Sequence, residues 1–83
     1  MKKLIAIFNK LNALYFELDE LIVELEEKQA SIEDKAMEHD RDMTDKEQER
    51  YDQIDEMIYY IRECQDNIDN AQSNIEGYLL WQD

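Results

Sequence analysis

The segment that decides the fold of this chain reads His39-Asp40-Arg41-Asp42-Met43-Thr44-Asp45-Lys46-Glu47. It is a polar interval between two long patterns of helical periodicity. Thr44 and Glu47 have the T-x-x-E spacing of a capping box, in which the threonine hydroxyl and the glutamate carboxylate each accept from the other residue's amide. The segment therefore predicts that a helix starts at about Asp45 and that the chain folds back on itself here.

The composition favours long helices. The 83 residues include one glycine and no proline, and 43% are hydrophobic and 37% charged, so few turns can be built. We predict one all-α domain over residues 1-83, an antiparallel two-helix hairpin with helix 1 at about 2-39, a turn at about 40-44 and helix 2 at about 45-81. Because so short a chain builds a thin core, we also predict that two hairpins pair into a dimeric four-helix bundle.

Apolar residues of the first half recur in a heptad, whose positions we letter from a at residue 4. The a positions are Leu4, Leu11, Leu18, Leu25 and Ile32, and the d positions are Ile7, Leu14 and Leu21. This spacing predicts an a/d seam against a second helix, widened at the e positions by Phe8, Tyr15 and Ile22. Lys28 and Lys35 take the d positions nearer the turn, so the seam is expected to thin there.

The second half repeats this pattern. The a positions are Ile54, Ile61, Ile68 and Ile75, the d positions are Met57, Cys64, Ala71 and Tyr78, and Ile58 and Leu79 lie at e. A symmetric fold-back sets Leu25 opposite Ile61 and Leu11 opposite Ile75, although knobs-into-holes packing can shift the register by a few residues. Cys64, at a d position and without an accompanying histidine, is predicted to be a small buried hydrophobic residue.

Several large apolar side chains fall outside the predicted seam. Those that we predict to form an outward apolar face are Phe16, Val23, Tyr59, Tyr60 and Trp81. Exposed apolar surface at regular spacing is typical of an interface. We therefore expect this face to be buried in a homodimer or to bind another protein. The alternative is that these are ordinary scattered surface residues.

Acidic residues dominate the charge. The formal net charge is −13, from 22 acids and nine bases. Helix 1 carries acidic pairs at its b and c positions, namely Asp19-Glu20, Glu26-Glu27 and Glu33-Asp34. They recur roughly every 10 Å along the helix, so they can occupy a groove that lysine and arginine build for phosphates. The same charge disfavours direct nucleic-acid binding. The alternative is a solvated face that only keeps the coiled coil soluble.

No catalytic, metal or cofactor motif accompanies these patterns. His39 is interpreted as a solvated turn residue, and the nearby acids fail the EF-hand pattern, since its sixth position would be Asp45 and its twelfth Tyr51. We predict that the protein is not an enzyme and needs no cofactor. No stretch approaches the ~18 apolar residues of a membrane span. One cysteine, Cys64, cannot form an internal disulfide and favours a reducing cytoplasm.

Together these observations predict a non-enzymatic protein-binding module. Being small, acidic and without a cofactor motif, the chain is similar in type to phage-encoded anti-CRISPR and anti-restriction proteins. That similarity implies a cytoplasmic inhibitor in a bacterial host, which mimics nucleic acid and blocks a nucleic-acid-binding protein. The alternatives are a structural or adaptor coiled coil and a small helical regulator, docking through the apolar face. An acidic contact is expected to weaken in high salt, and an apolar contact is not.

Overall fold

The computed structural model describes residues 1-81 and confirms the predicted antiparallel helical hairpin. Helix α1 spans Lys2–Glu38 and helix α2 spans Asp45–Leu80, and no strand occurs in the described part of the chain. The hairpin is a rod of 64 × 15 × 14 Å between its outermost Cα atoms. Each helix therefore has one neighbour, and most of its surface faces outward. Pairing of two hairpins into a four-helix bundle stays a prediction.

The turn is capped at both of its ends. The predicted capping box is present: Thr44 Oγ1 accepts from the Glu47 amide at 3.1 Å, and Glu47 Oε1 accepts from the Thr44 amide at 2.9 Å. The two terminal nitrogens of the Arg41 guanidinium donate hydrogen bonds to the same carboxylate, at 2.7 and 3.3 Å. Helix α1 ends in a Schellman motif, with Asp40 in the left-handed region (φ 49°) and the Arg41 amide donating to the Ala36 carbonyl at 3.2 Å. These bonds fix the point at which the chain reverses.

The helices meet through their a and e positions, so the predicted a/d seam is wrong. Ile22, at e, is 5% exposed, whereas its neighbour Leu21, at d, is 39% exposed. The same contrast appears on α2. Cys64, predicted to be buried at d, is exposed, and Gln65, at e, is buried. The core cluster consists of Ile22, Leu25, Ile54 and Ile58.

Charge explains why the e positions are inside. Toward the turn the d positions are occupied by Lys28, Lys35 and Arg50, whereas within the two described helices no e position carries a charged residue. Burying an unpaired charge costs several kcal/mol, against about 1.5–3 kcal/mol gained by fully burying a leucine. The hairpin therefore closes on the line of residues that can be buried along its whole length. The apolar d side chains near the termini stay outside.

A buried glutamine clamps α2 to α1. Gln65 Nε2 donates to the carbonyl oxygen of Tyr15 at 3.1 Å and to Oδ1 of Asp19 at 2.9 Å. The amide thereby enters the core with its donors satisfied. Because it needs an oxygen at both heights on the facing helix, the contact selects one register, as a polar residue in a coiled-coil core does.

The same clamp recurs from the opposite helix. Gln29 of α1 is buried, and its Nε2 donates to the carbonyl oxygen of Tyr51 at 3.2 Å and to Oδ1 of Asp55 at 2.7 Å. In the register that both clamps set, Leu25 lies level with Met57, and the two line one groove between the helices. Met57 precedes by four residues the isoleucine that symmetric fold-back predicts. The observed register is thus displaced by about one helical turn.

Candidate protein-binding surfaces

The heptad positions outside the seam form two surfaces. We call positions b, c and f of both helices the acidic surface, and positions d and g of both helices the apolar flank. The groove between the helices on one side is lined by Lys28 and Arg50, both at d. The groove on the other side is lined by Asp19, Glu26 and Arg62, all at b. The two surfaces therefore lie on opposite sides of the hairpin.

The acidic surface carries most of the negative charge. Within residues 1-81 it holds fifteen carboxylates and two bases, Lys2 and Arg62, and every one of these carboxylate residues is exposed. The fifteen are Asp19, Glu20, Glu26, Glu27, Glu33, Asp34, Asp45, Glu49, Asp52, Asp55, Glu56, Glu63, Asp66, Asp69 and Glu76. The six acids of α1 that we predicted to bind a partner are among them, and the helix places them together. That they bind a partner stays a prediction.

The carboxylates of this surface raise the pKa values of two tyrosines beside it. The charge of Asp69 is the largest cause that raises the pKa of Tyr15, followed by desolvation of the phenol and the charge of Asp19. The pKa of Tyr51 is raised first by a hydrogen bond to Glu33 and then by the charge of that carboxylate. In both cases nearby carboxylates disfavour the phenolate. The field of the surface therefore reaches the half-buried side chains at its edge.

The apolar flank is a ladder to which the helices contribute in alternation. In the observed register its apolar d residues, in order from the termini, are Tyr78, Ile7, Ala71, Leu14, Cys64, Leu21 and Met57. All but Ala71 are classed as exposed, and Leu14 is 41% exposed. The heptad pattern in the sequence includes these residues, but it predicts them to be inside the hairpin and so does not predict the flank as a surface.

Charge on the apolar flank is opposite in sign to that on the acidic surface. Within residues 1-81 its d and g positions hold six bases and three acids. The bases are Lys3, Lys10, Lys28, Lys35, Lys46 and Arg50, and the acids are Glu17, Glu24 and Glu38. The net charge of −13 is therefore the sum over a strongly negative surface, a weakly positive one and the remaining residues.

The predicted apolar face is divided between these surfaces. Phe16, Val23 and Tyr59 lie at f positions among the acids, whereas Tyr60 and Trp81 lie at g positions of the apolar flank. All five are exposed, from 53% for Val23 to 89% for Trp81. The rings of Tyr59 and Tyr60 meet edge to face with centroids 5.4 Å apart. Their role in a dimer or in partner binding stays a prediction.

His39 caps the C-terminus of α1 and is exposed. No group of metal-ligating side chains is assembled within residues 1-81. Neither described helix has an apolar stretch that could cross a membrane.

A scan against family models finds no match, and searches of curated proteins and of solved structures find no significant similarity.

Proposed function

We propose that this protein is a non-enzymatic binding module whose acidic surface occupies the basic groove of a nucleic-acid-binding protein and thereby inhibits it. The observation that carries the proposal is the segregation of charge, with fifteen carboxylates and two bases on one side of the described rod. A negative net charge alone supports solubility. A fixed array of one sign on a stiff helix pair also supports complementarity to a fixed array of the other sign.

The density of the array resembles that of nucleic acid. Residues 19-34 of α1 are level with residues 48-63 of α2, and the acidic surface holds eleven acids and Arg62 over this length. At helical rise this is roughly one net negative charge per 2 Å of rod, against about one per 1.7 Å along a DNA duplex. The glutamine clamps add order, because Asp19 and Asp55 are each held by a hydrogen bond across the hairpin.

An inhibitor of this kind needs neither an active site nor a cofactor. It is similar in type to phage-encoded anti-CRISPR and anti-restriction proteins, which supports the cytoplasm of a bacterial host as its place of action. The protein is not expected to bind nucleic acid itself, because its acidic surface repels phosphates.

The test is a variant that removes charge and keeps shape. It carries D19N, E20Q, E26Q, E27Q, E33Q and D34N. Asp19→Asn retains the oxygen that accepts from Gln65, so circular dichroism and thermal unfolding should report an intact hairpin. Proteins captured from a bacterial lysate by the unaltered chain are identified by mass spectrometry and assayed for nucleic-acid binding. The unaltered chain should displace nucleic acid from its target at low salt and lose more than tenfold in affinity between about 50 and 200 mM salt. Displacement by the amide variant at full strength would contradict the proposal.

A second candidate function is an adaptor or small helical regulator that docks through apolar contacts. The observation that favours it is the projection of Phe16, Val23 and Tyr59 from among the acids, each more than half exposed. The variant F16A/V23A/Y59A separates the two. If the acids carry the contact, this variant should bind the target nearly as well as the unaltered chain does. If the apolar side chains carry it, the variant should lose affinity by a similar factor at low and at high salt.

A further inference from the structure

The apolar flank is exposed and lies apart from the acidic surface. No side chain in the described chain is fully buried, and so thin a core gains stability when another face is covered. At 100° per residue, the d positions point about 80° away from the centre of the a/e seam. That is close to the right angle at which a helix in a square four-helix bundle meets its second neighbour.

The apolar residues of this flank are symmetric about one level of the rod. On α1, Ile7 and Leu21 lie seven residues to either side of Leu14. On α2, the ladder of Met57, Cys64, Ala71 and Tyr78 has its midpoint between residues 67 and 68. The clamps place Gln65 between the heights of Tyr15 and Asp19, which sets residue 68 level with Leu14. The apolar rows of the two helices therefore have their midpoints at the same height along the rod, although neither helix alone requires this.

Charged residues beside the ladder are antisymmetric about the same centre. The g positions of α1 are lysine on the N-terminal side of Leu14, at Lys3 and Lys10, and glutamate on the other side, at Glu17 and Glu24. An α1 helix that packs antiparallel on another α1 helix about Leu14 sets Lys10 beside Glu17 of the second copy, and Lys3 beside Glu24 of the second copy. Two-fold symmetry doubles these to four ion pairs. Parallel packing would set like charges together.

We propose that the apolar flank binds a second copy of this chain, antiparallel, with the two-fold axis at Leu14, to form a four-helix bundle. The ladder spans about 32 Å, and two helices 8–10 Å apart are about 18 Å wide. The covered area is therefore about 600 Å² per copy, and the total reaches the lower end of stable interfaces. The acidic surfaces of both copies face outward, so this interface does not depend on the proposed inhibition.

A charge swap tests the arrangement. Sedimentation equilibrium of the unaltered chain, whose mass is 10.1 kDa, should give twice that mass. The variants E17K/E24K and K3E/K10E each turn four attractions into four repulsions and should dimerise on the order of 100-fold more weakly. An equimolar mixture of the two should recover the dimer. The matched control E20K/E27K makes the same change on the same helix at c positions, which point away, and should dimerise undiminished.

Each other outcome overturns the proposal. An unaltered chain that stays monomeric at all concentrations shows that the flank is not covered by a second copy. Variants that dimerise undiminished, or a mixture that stays monomeric, exclude the antiparallel pairing. Loss of the flank's exposure only on addition of anionic vesicles would assign the lysines and the ladder to a lipid surface instead.

A cross-link locates the axis. In a C64S background, L14C should form an intermolecular disulfide rapidly under mild oxidation, because the axis brings residue 14 of both copies together. The neighbouring variant A13C, at an outward c position, is the control and should cross-link slowly. Equal rates for L14C and A13C would place the axis elsewhere and contradict the register.

Discussion

The two sides of this hairpin differ in the charge and the apolar side chains that they offer to a partner. The acidic surface has fifteen carboxylates and two bases, whereas the apolar flank has an uninterrupted apolar ladder with six bases and three acids. Both sides are exposed in the isolated hairpin. The comparison teaches that one sequence of heptads can present two independent surfaces, because the seam uses only two of its seven positions. We propose a basic protein as the partner of the acidic surface and a second copy of the chain as the partner of the apolar flank.

The largest expected effect separates the seam from the flank. Ile22→Ala should destabilise the hairpin by about 2–5 kcal/mol, because it opens a cavity in the core cluster. Leu21→Ala should cost less than about 1 kcal/mol, because that side chain is already 39% exposed. Both are measured by urea unfolding of dilute protein in the E17K/E24K background, where dimerisation is expected to be about 100-fold weaker.

Ile22→Val provides a milder companion, expected to cost about 1 kcal/mol, in case Ile22→Ala leaves no folded state to measure. If Leu21→Ala and Ile22→Ala cost the same, the distinction between the inner e positions and the outer d positions would collapse, and the a/d seam would have to be reinstated.

An intermediate effect concerns the register that aligns the two sides. The variant Q29L/Q65L/Q72L removes both clamps and the longer contacts that Gln72 makes with the facing helix, both at 3.5 Å. It should keep its stability within about 1 kcal/mol, since apolar residues often replace buried polar contacts without loss. It should nevertheless sample a second register about one turn away, because nothing polar then specifies the first. Pulsed electron–electron double resonance between spin labels at positions 26 and 63 should show one distance in the parent protein and two in the variant. A single unchanged distance would show that apolar packing alone sets the register.

The smallest effect is at the turn, where one carboxylate behaves unlike those of the acidic surface. The Arg41 guanidinium and the Thr44 amide lower the pKa of Glu47 from 4.5 to about 2. Because the folded value is depressed, the stabilisation is fully present above pH 4.5 and is lost as the pH falls toward 2. The stability difference between the parent protein and E47Q should therefore shrink over that window. Acid should meanwhile relieve repulsion on the acidic surface in both proteins. A difference that does not change with pH would show that the Arg41–Glu47 pair does not stabilise the turn.

The hairpin and its capping box could be predicted from the sequence, because the Thr44–Glu47 spacing and the heptads are local signals. The seam could not be assigned from apolar periodicity, since Leu21 and Ile22 are equally apolar. The deciding information was the charge at Lys28, Lys35 and Arg50, which bars the d line from the inside.

The register and the second surface depended on tertiary contacts. Gln29 and Gln65 look like solvated residues in a sequence, and only the facing carbonyls reveal them as clamps. Heptad spacing predicts both Cys64 and Leu14 to be in the core, but both are exposed. The acidic pairs can be found from the sequence, whereas their segregation from the bases follows only from the burial of the e positions.

The reactivity of Cys64 toward a thiol reagent, measured against protein concentration, tests the central claim most directly, because it reads a d position in the native sequence. In dilute protein the thiol should react as fast as in an unfolded peptide, and the rate should fall as the concentration rises and the second copy covers the flank. In E17K/E24K it should stay fast throughout. A thiol that is slow in E17K/E24K would place the d positions inside the hairpin, and a thiol that stays fast at every concentration would leave the apolar flank uncovered.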